Sequence, residues 1–146
     1  MAANDDARMI GAIADAVAYV GNQRGGDALL YAEAGPGWVR GSLFIDYPEL
    51  IEWVNPAAHH ISELVLRLWT AAPDAKKWRA LTMIVGEQIY QTESDYGEGW
   101  TDEEDESDRR EPIVLRFFGD KPVFYPTLDR GEESHGYANS MLFWNR

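Results

Sequence analysis

The chain of 146 residues contains no cysteine, which excludes disulfide bonds, thiolate metal ligands and a cysteine nucleophile. It also has no apolar run that approaches the ~18 residues needed to span a bilayer. The first residues, Met-Ala-Ala-Asn-Asp-Asp, lack the basic and apolar regions of a signal peptide. We therefore expect a cytoplasmic protein that makes no contact with a membrane.

Basic residues are scarce, since 13 Lys and Arg stand against 25 Asp and Glu and leave a formal charge of −12. Nucleic acids and anionic membranes repel such a protein, so we expect no direct nucleic-acid partner. Hydrophobic residues make up 45% and aromatic residues 12% of the chain, which is enough for a packed core. The length suits a single domain over residues 1–146.

Catalytic and metal-binding signatures are missing as well. No serine has the Gly-x-Ser-x-Gly context, and no glycine-rich stretch matches a phosphate-binding loop. His59 and His60 are adjacent, so on a helix they point about 100° apart and form a poor ligand pair. A calcium loop starting at Asp102 would place Ser107 and Ile113 where glycine and glutamate are required. We expect no catalytic residue, no cofactor and no metal.

The pattern of apolar residues and breaks predicts an α+β fold. Apolar spacing and caps predict helices over 5–20 and after Asn55, and residues 113–118 fit either a helix or a strand that follows Pro112. Two hairpins are expected, with strands at 27–33, 38–47, 78–85 and 88–92. This order indicates an antiparallel sheet of about four strands with helices packed on one face.

The negative charge is concentrated in residues 93–111, which we call the acidic segment. Ten acids and only two arginines give these 19 residues a charge of −8, so the other 127 residues carry −4. The glycines within it favour a loop. One interpretation is a solvated surface loop that aids solubility, and the other is a binding surface for a basic protein.

The binding hypothesis places the contact on the acids of this segment and on two aromatic residues near its start. Tyrosine and tryptophan are enriched among the residues that dominate the affinity of protein interfaces. The predicted partner-binding residues are Asp95, Tyr96, Glu98, Trp100, Asp102, Glu103, Glu104, Asp105, Glu106 and Asp108.

Several sequence features resemble the YezG-like antitoxins, which are immunity proteins of bacterial secreted toxin systems. They are LLYAE at 29–33, FIDY at 44–47, WRALTMI at 78–84, DRR at 108–110 and FFG at 117–119. The resemblance covers roughly residues 5–125. It implies a non-enzymatic protein that binds a cognate toxin, often a nuclease, and blocks it inside the producing cell.

Two alternatives stay open. The tail at 127–146 has no counterpart in that family, and its apolar residues 141–144 would suit self-association into a homodimer or another regulatory contact. An enzyme that uses carboxylates on the face of the sheet is the other alternative, and a buried pair of acids would favour it.

Overall fold

A computed structural model describes residues 2–126 and 142–144, with side chains from 5 to 126. Within these residues the fold is α+β, as predicted. Short 3-10 helices at Pro56–His59 and Asp74–Lys76 flank the second α-helix. The main elements, in chain order, are α1 (Ala2–Arg24), β1 (Ala28–Gly35), β2 (Trp38–Asp46), β3 (Ile51–Val54), α2 (Ile61–Ala71), β4 (Ala80–Val85), β5 (Tyr90–Asp95), α3 (Glu106–Phe118), β6 (Val123–Tyr125) and β7 (Leu142–Trp144).

The strands form one mixed sheet in the order β5-β4-β1-β2-β3-β6-β7. Both predicted hairpins are confirmed, because β1 pairs antiparallel with β2, and β4 pairs antiparallel with β5. The predicted number of about four strands needs correction. Six strands lie between residues 28 and 125, β7 adds a seventh, and β3 pairs parallel with β6. β3 and β6 have only four and three residues, too few to show a strand period.

The expected placement of the helices on one face is also wrong. α1 and α2 cover one face, where Ile13 and Val65 pack with Leu30 of β1. α3 covers the opposite face, where Phe118 packs with Leu29. The physical reason is that all eight residues of β1 are buried, and successive side chains of a strand point to opposite faces. A strand that is buried on both sides needs a layer on each.

The predicted tail lies mostly outside the described residues, because 127–141 and 145–146 are not among them. Leu142–Trp144 form β7, which pairs antiparallel with β6 of the same chain.

Candidate functional site

The acidic segment spans three elements instead of a single loop. Its first residues, Glu93 and Asp95, belong to β5, residues 96–105 connect, and α3 begins at Glu106. α3 therefore starts before the apolar run that marked it in the sequence, and Pro112 lies inside the helix. The sequence did not indicate this helix start, because the first turns are acidic and polar and show no apolar period.

The connecting loop is held by the ring of Trp100. The guanidinium carbon of Arg109 lies 4.0 Å from the ring centroid, and that of Arg79 lies 4.6 Å from it. The indole nitrogen donates to Oδ2 of Asp95 at 3.2 Å, and the Gly97 amide donates to Oδ1 of the same carboxylate at 2.8 Å. These contacts attach the loop to β5 through Asp95, to α3 through Arg109, and to Arg79, which directly precedes β4.

Gly97 is required by this packing. Its φ of +90° lies in the left-handed region, and a Cβ added there would come within 2.6 Å of Cδ of Arg79. A larger residue at this position would push the loop away from the arginine that stacks on Trp100.

The first turn of α3 is closed by a reciprocal cap. The Asp108 amide donates to Oδ1 of Asp105 at 3.0 Å, and the Asp105 amide donates to Oδ2 of Asp108 at 3.1 Å. The hydrogen bond from the Asp108 amide, aided by the Ser107 hydroxyl, lowers the pKa of Asp105. Two of the acids thus fix the helix start and still face solvent.

Beneath the loop, α3 is anchored to the sheet by a buried charge. Glu33 of β1 is 5% exposed. Arg109 donates two hydrogen bonds to its carboxylate, from Nε to Oε2 at 2.7 Å and from Nη2 to Oε1 at 3.0 Å. The Tyr31 hydroxyl also donates to Oε2 at 2.6 Å. Burial raises the pKa of Tyr31, and the hydrogen bond to Glu33 raises it further, so the phenol remains protonated and can donate.

A second buried acid lies at the start of α3. Glu106 is 6% exposed and pairs with Arg110, one helical turn later. Its Oε2 atom has no hydrogen-bond partner. Burial raises the pKa of Glu106, and the charge of Arg110 only partly opposes that effect.

The sequence left open an enzyme that uses carboxylates, which a buried pair of acids would favour, and the structure buries Glu33 and Glu106. Each of them faces an arginine, Arg109 for Glu33 and Arg110 for Glu106. The pair of Glu33 and Arg109 joins β1 to α3, whereas Glu106 and Arg110 both belong to α3, so the second pair neutralises a buried charge within the helix.

The structure divides the ten predicted partner-binding residues into three groups. Trp100 and Glu104 are half-buried, and Glu104 contacts Arg109 at 3.4 Å. Glu106 is buried and does not belong to an accessible surface. The exposed residues are Tyr96 and six acids, which we call the carboxylate surface: Asp95, Glu98, Asp102, Glu103, Asp105 and Asp108.

Sequence reasoning missed the residues that hold this surface in place, namely Glu33, Arg79 and Arg109. One signal was present, because Glu33 is a lone acid within an otherwise apolar strand. A buried strand tolerates such a residue only when a partner neutralises it. That the partner would be Arg109, 76 residues later, depends on tertiary packing.

A cleft of about 480 Å³ lies between α3, β5 and the loop. Tyr31 and Thr82 contribute to its lining from the sheet, and Tyr96 and Trp100 contribute from the loop. Its acids outnumber its bases, since Glu93, Asp95, Glu98, Glu104 and Asp108 line it together with Arg109 and Arg116. Arg116 pairs with Glu93, which lowers the pKa of that carboxyl. The cleft is therefore negative and partly aromatic.

No protein-family model matches the chain, and no curated protein sequence matches it significantly. Within the described residues, no group of three or more His, Asp and Glu side chains could hold a metal ion. None of the helices in the same part of the chain is long and apolar enough to cross a membrane.

Proposed function

We propose that this protein is an immunity protein that neutralises a bacterial toxin by binding it in stoichiometric amount. The carboxylate surface would contact a basic face of the toxin and block it. The observation that carries the proposal is that six exposed carboxylates lie together on an ordered frame.

Three of these carboxylates are free for a partner. Within the described residues, Glu98, Asp102 and Glu103 are exposed and have no hydrogen-bond or ion-pair partner. Their charges are not consumed inside the fold, so they contribute to a field that reaches about one Debye length, ~8 Å at physiological salt. Such a field speeds encounter with a basic protein and disfavours an acidic one.

The loop is also pre-organised. The contacts of Trp100 with Arg79 and Arg109 hold it against the body of the domain. A surface that is ordered before binding loses less conformational entropy when the complex forms. Tyr96 is 52% exposed beside the acids and offers an aromatic anchor.

The charge favours a nuclease as the toxin. Enzymes that cleave nucleic acids present basic surfaces to the phosphate backbone. A protein with a dense array of fixed carboxylates can cover such a surface by imitating the charge of the substrate.

The test is a binding measurement with the product of the gene adjacent to this one, by calorimetry at 50 and 500 mM salt. We expect a 1:1 complex whose affinity falls by at least about tenfold at the higher salt. The triple variant Glu98→Gln/Asp102→Asn/Glu103→Gln should lose affinity to a similar degree at 50 mM salt.

A matched control removes the same charge elsewhere. Glu49, Glu63 and Asp74 are exposed and lie outside the acidic segment, so Glu49→Gln/Glu63→Gln/Asp74→Asn should bind nearly as well as the parent. Equal losses in the two triple variants would show that only net charge matters. Absence of any complex would overturn the proposal, and a dimer of the chain that dissociates on truncation after Asn139 would support self-association instead.

A further inference from the structure

β5 lies at one end of the sheet, and its outer side is unpaired within the described part of the chain. An edge strand presents a row of backbone donors and acceptors that can pair with a strand from another protein. The sequence of β5, YQTESD, contains neither the proline nor the lysine that often blocks such an edge.

The hydrogen-bond alternation identifies the groups on the free edge. The Gly86 amide donates to the Ile89 carbonyl at 2.8 Å, and the Asp95 carbonyl accepts from Arg79 at 2.7 Å. Bonded pairs alternate along an antiparallel ladder, so the backbones of Gln91, Glu93 and Asp95 face β4. The backbones of Tyr90, Thr92 and Ser94 consequently face outward.

The side chains around this edge suit a partner with particular chemistry. Two large aromatic residues bracket the strand, Tyr90 at 58% and Tyr96 at 52% exposure. Glu93 and Asp95 lie on the strand itself, and the rest of the acidic segment follows directly. Because Glu93 also pairs with Arg116, the net negative charge lies at the Asp95 end of the edge, where the carboxylate surface begins, and an exposed tyrosine lies at each end.

The negative charge distinguishes between two possible partners of the β5 edge, a second copy of the chain and a basic strand of another protein. If a second copy of the chain paired through β5, two chains that each carry a net charge of −12 would be brought together. Like-charge juxtaposition at an interface is destabilising. A strand that carries Lys or Arg is attracted by the same net charge.

We propose that the outer edge of β5 accepts an extended basic segment of the partner protein, which adds a strand to the sheet next to the carboxylate surface. Backbone hydrogen bonds at Tyr90, Thr92 and Ser94 would give the register. The acids would select a basic chain. This inference rests on the proposed function and specifies how the partner is held.

Proline at position 92 tests it. Thr92→Pro removes an outward N–H and leaves the bonds to β4 intact, while Thr92→Ala keeps that N–H and removes only the side chain. With the adjacent gene product as the probe, we expect Thr92→Pro to weaken binding about tenfold or more. Thr92→Ala should bind like the parent, and the melting temperatures of both variants report whether they fold.

Hydrogen exchange on the unaltered protein supplies a test that needs no substitution. The amides of Tyr90, Thr92 and Ser94 should exchange rapidly in the free chain and become protected in the complex. Unchanged exchange at these amides would overturn the inference even if the complex forms, and so would equal affinities of the proline and alanine variants. If the unaltered chain forms no complex, the proposed function fails, and this inference fails with it. A dimer of the chain alone that Thr92→Pro dissociates would assign the edge to a second copy.

Discussion

The two faces of the sheet are built from the same strands but are packed by different means. Under α1 and α2 the buried residues are apolar, from Ile13 on the helix to Leu30 and Met83 on the sheet. Under α3 an apolar patch around Phe44 and Phe118 adjoins the buried pair of Glu33 and Arg109.

This difference shows that one kind of contact stabilises the fold and another fixes the position of a helix on the sheet. Apolar burial is non-directional, so it holds a helix on a sheet without fixing its position closely. A buried carboxylate that receives two hydrogen bonds from one arginine is directional, and its partner has a single acceptable position. The face that carries the acidic segment is the face with the directional contact, which is what a fixed binding surface requires.

The largest effect is expected from breaking the directional pair. Arg109→Met leaves the charge of Glu33 buried with only Tyr31 to satisfy it, and should lower the free energy of unfolding by about 3–5 kcal/mol. The measurement is urea denaturation at neutral pH. The triple variant Tyr31→Phe/Glu33→Leu/Arg109→Met, which replaces the whole cluster by apolar groups, should recover most of the loss. If Arg109→Met were as stable as the parent, the pair of Glu33 and Arg109 would be accessible to water in the folded protein.

On the opposite face, Leu30→Ala should cost about 2–5 kcal/mol, because it opens a cavity in a core where this residue is fully buried. Unlike the loss at Arg109, this one cannot be recovered by removing neighbouring groups. The same denaturation series measures it. If the proposed complex with the adjacent gene product still forms with Leu30→Ala at temperatures where the variant is folded, the apolar face contributes stability alone.

A smaller effect is expected at Trp100. Trp100→Leu keeps an apolar side chain but loses the stacking with Arg79 and Arg109, and should lower stability by about 1 kcal/mol. Amide exchange in residues 97–104 should accelerate more than exchange in β1. Uniform acceleration over the chain would mean that the loop is not an independent unit of the fold.

The smallest effect is a change in the pH dependence of stability. Burial raises the pKa of Glu106 above its ordinary value of 4.5. The stability that this group contributes is therefore complete below pH 4.5 and is lost as the pH rises through the raised pKa. Glu106→Gln removes this loss, so the stability of the variant relative to the parent should increase as the pH rises above 4.5. A difference that does not vary with pH would contradict the raised pKa.

Much of the fold could be predicted from local patterns. The two hairpins have alternating or continuous apolar residues between glycine breaks, and the α2 region has a clear apolar stripe with Asn55 before it. The structure adds that Asn55 caps the 3-10 helix Pro56–His59, which precedes α2. The start of α3 could not be predicted in this way, since its cap consists of two aspartates within a run of acids.

By itself, the sequence determined the α+β class, the two hairpins and the concentration of charge in residues 93–111, because each of these is a local property of neighbouring residues. Only the tertiary structure decided that α3 lies opposite α1 and α2, and that Glu106 is buried while Asp102 is exposed. The reason is that burial depends on contacts between distant residues, such as Glu33 with Arg109. The residue type alone gives the charge, but tertiary packing determines whether that charge is exposed to solvent and on which face it lies.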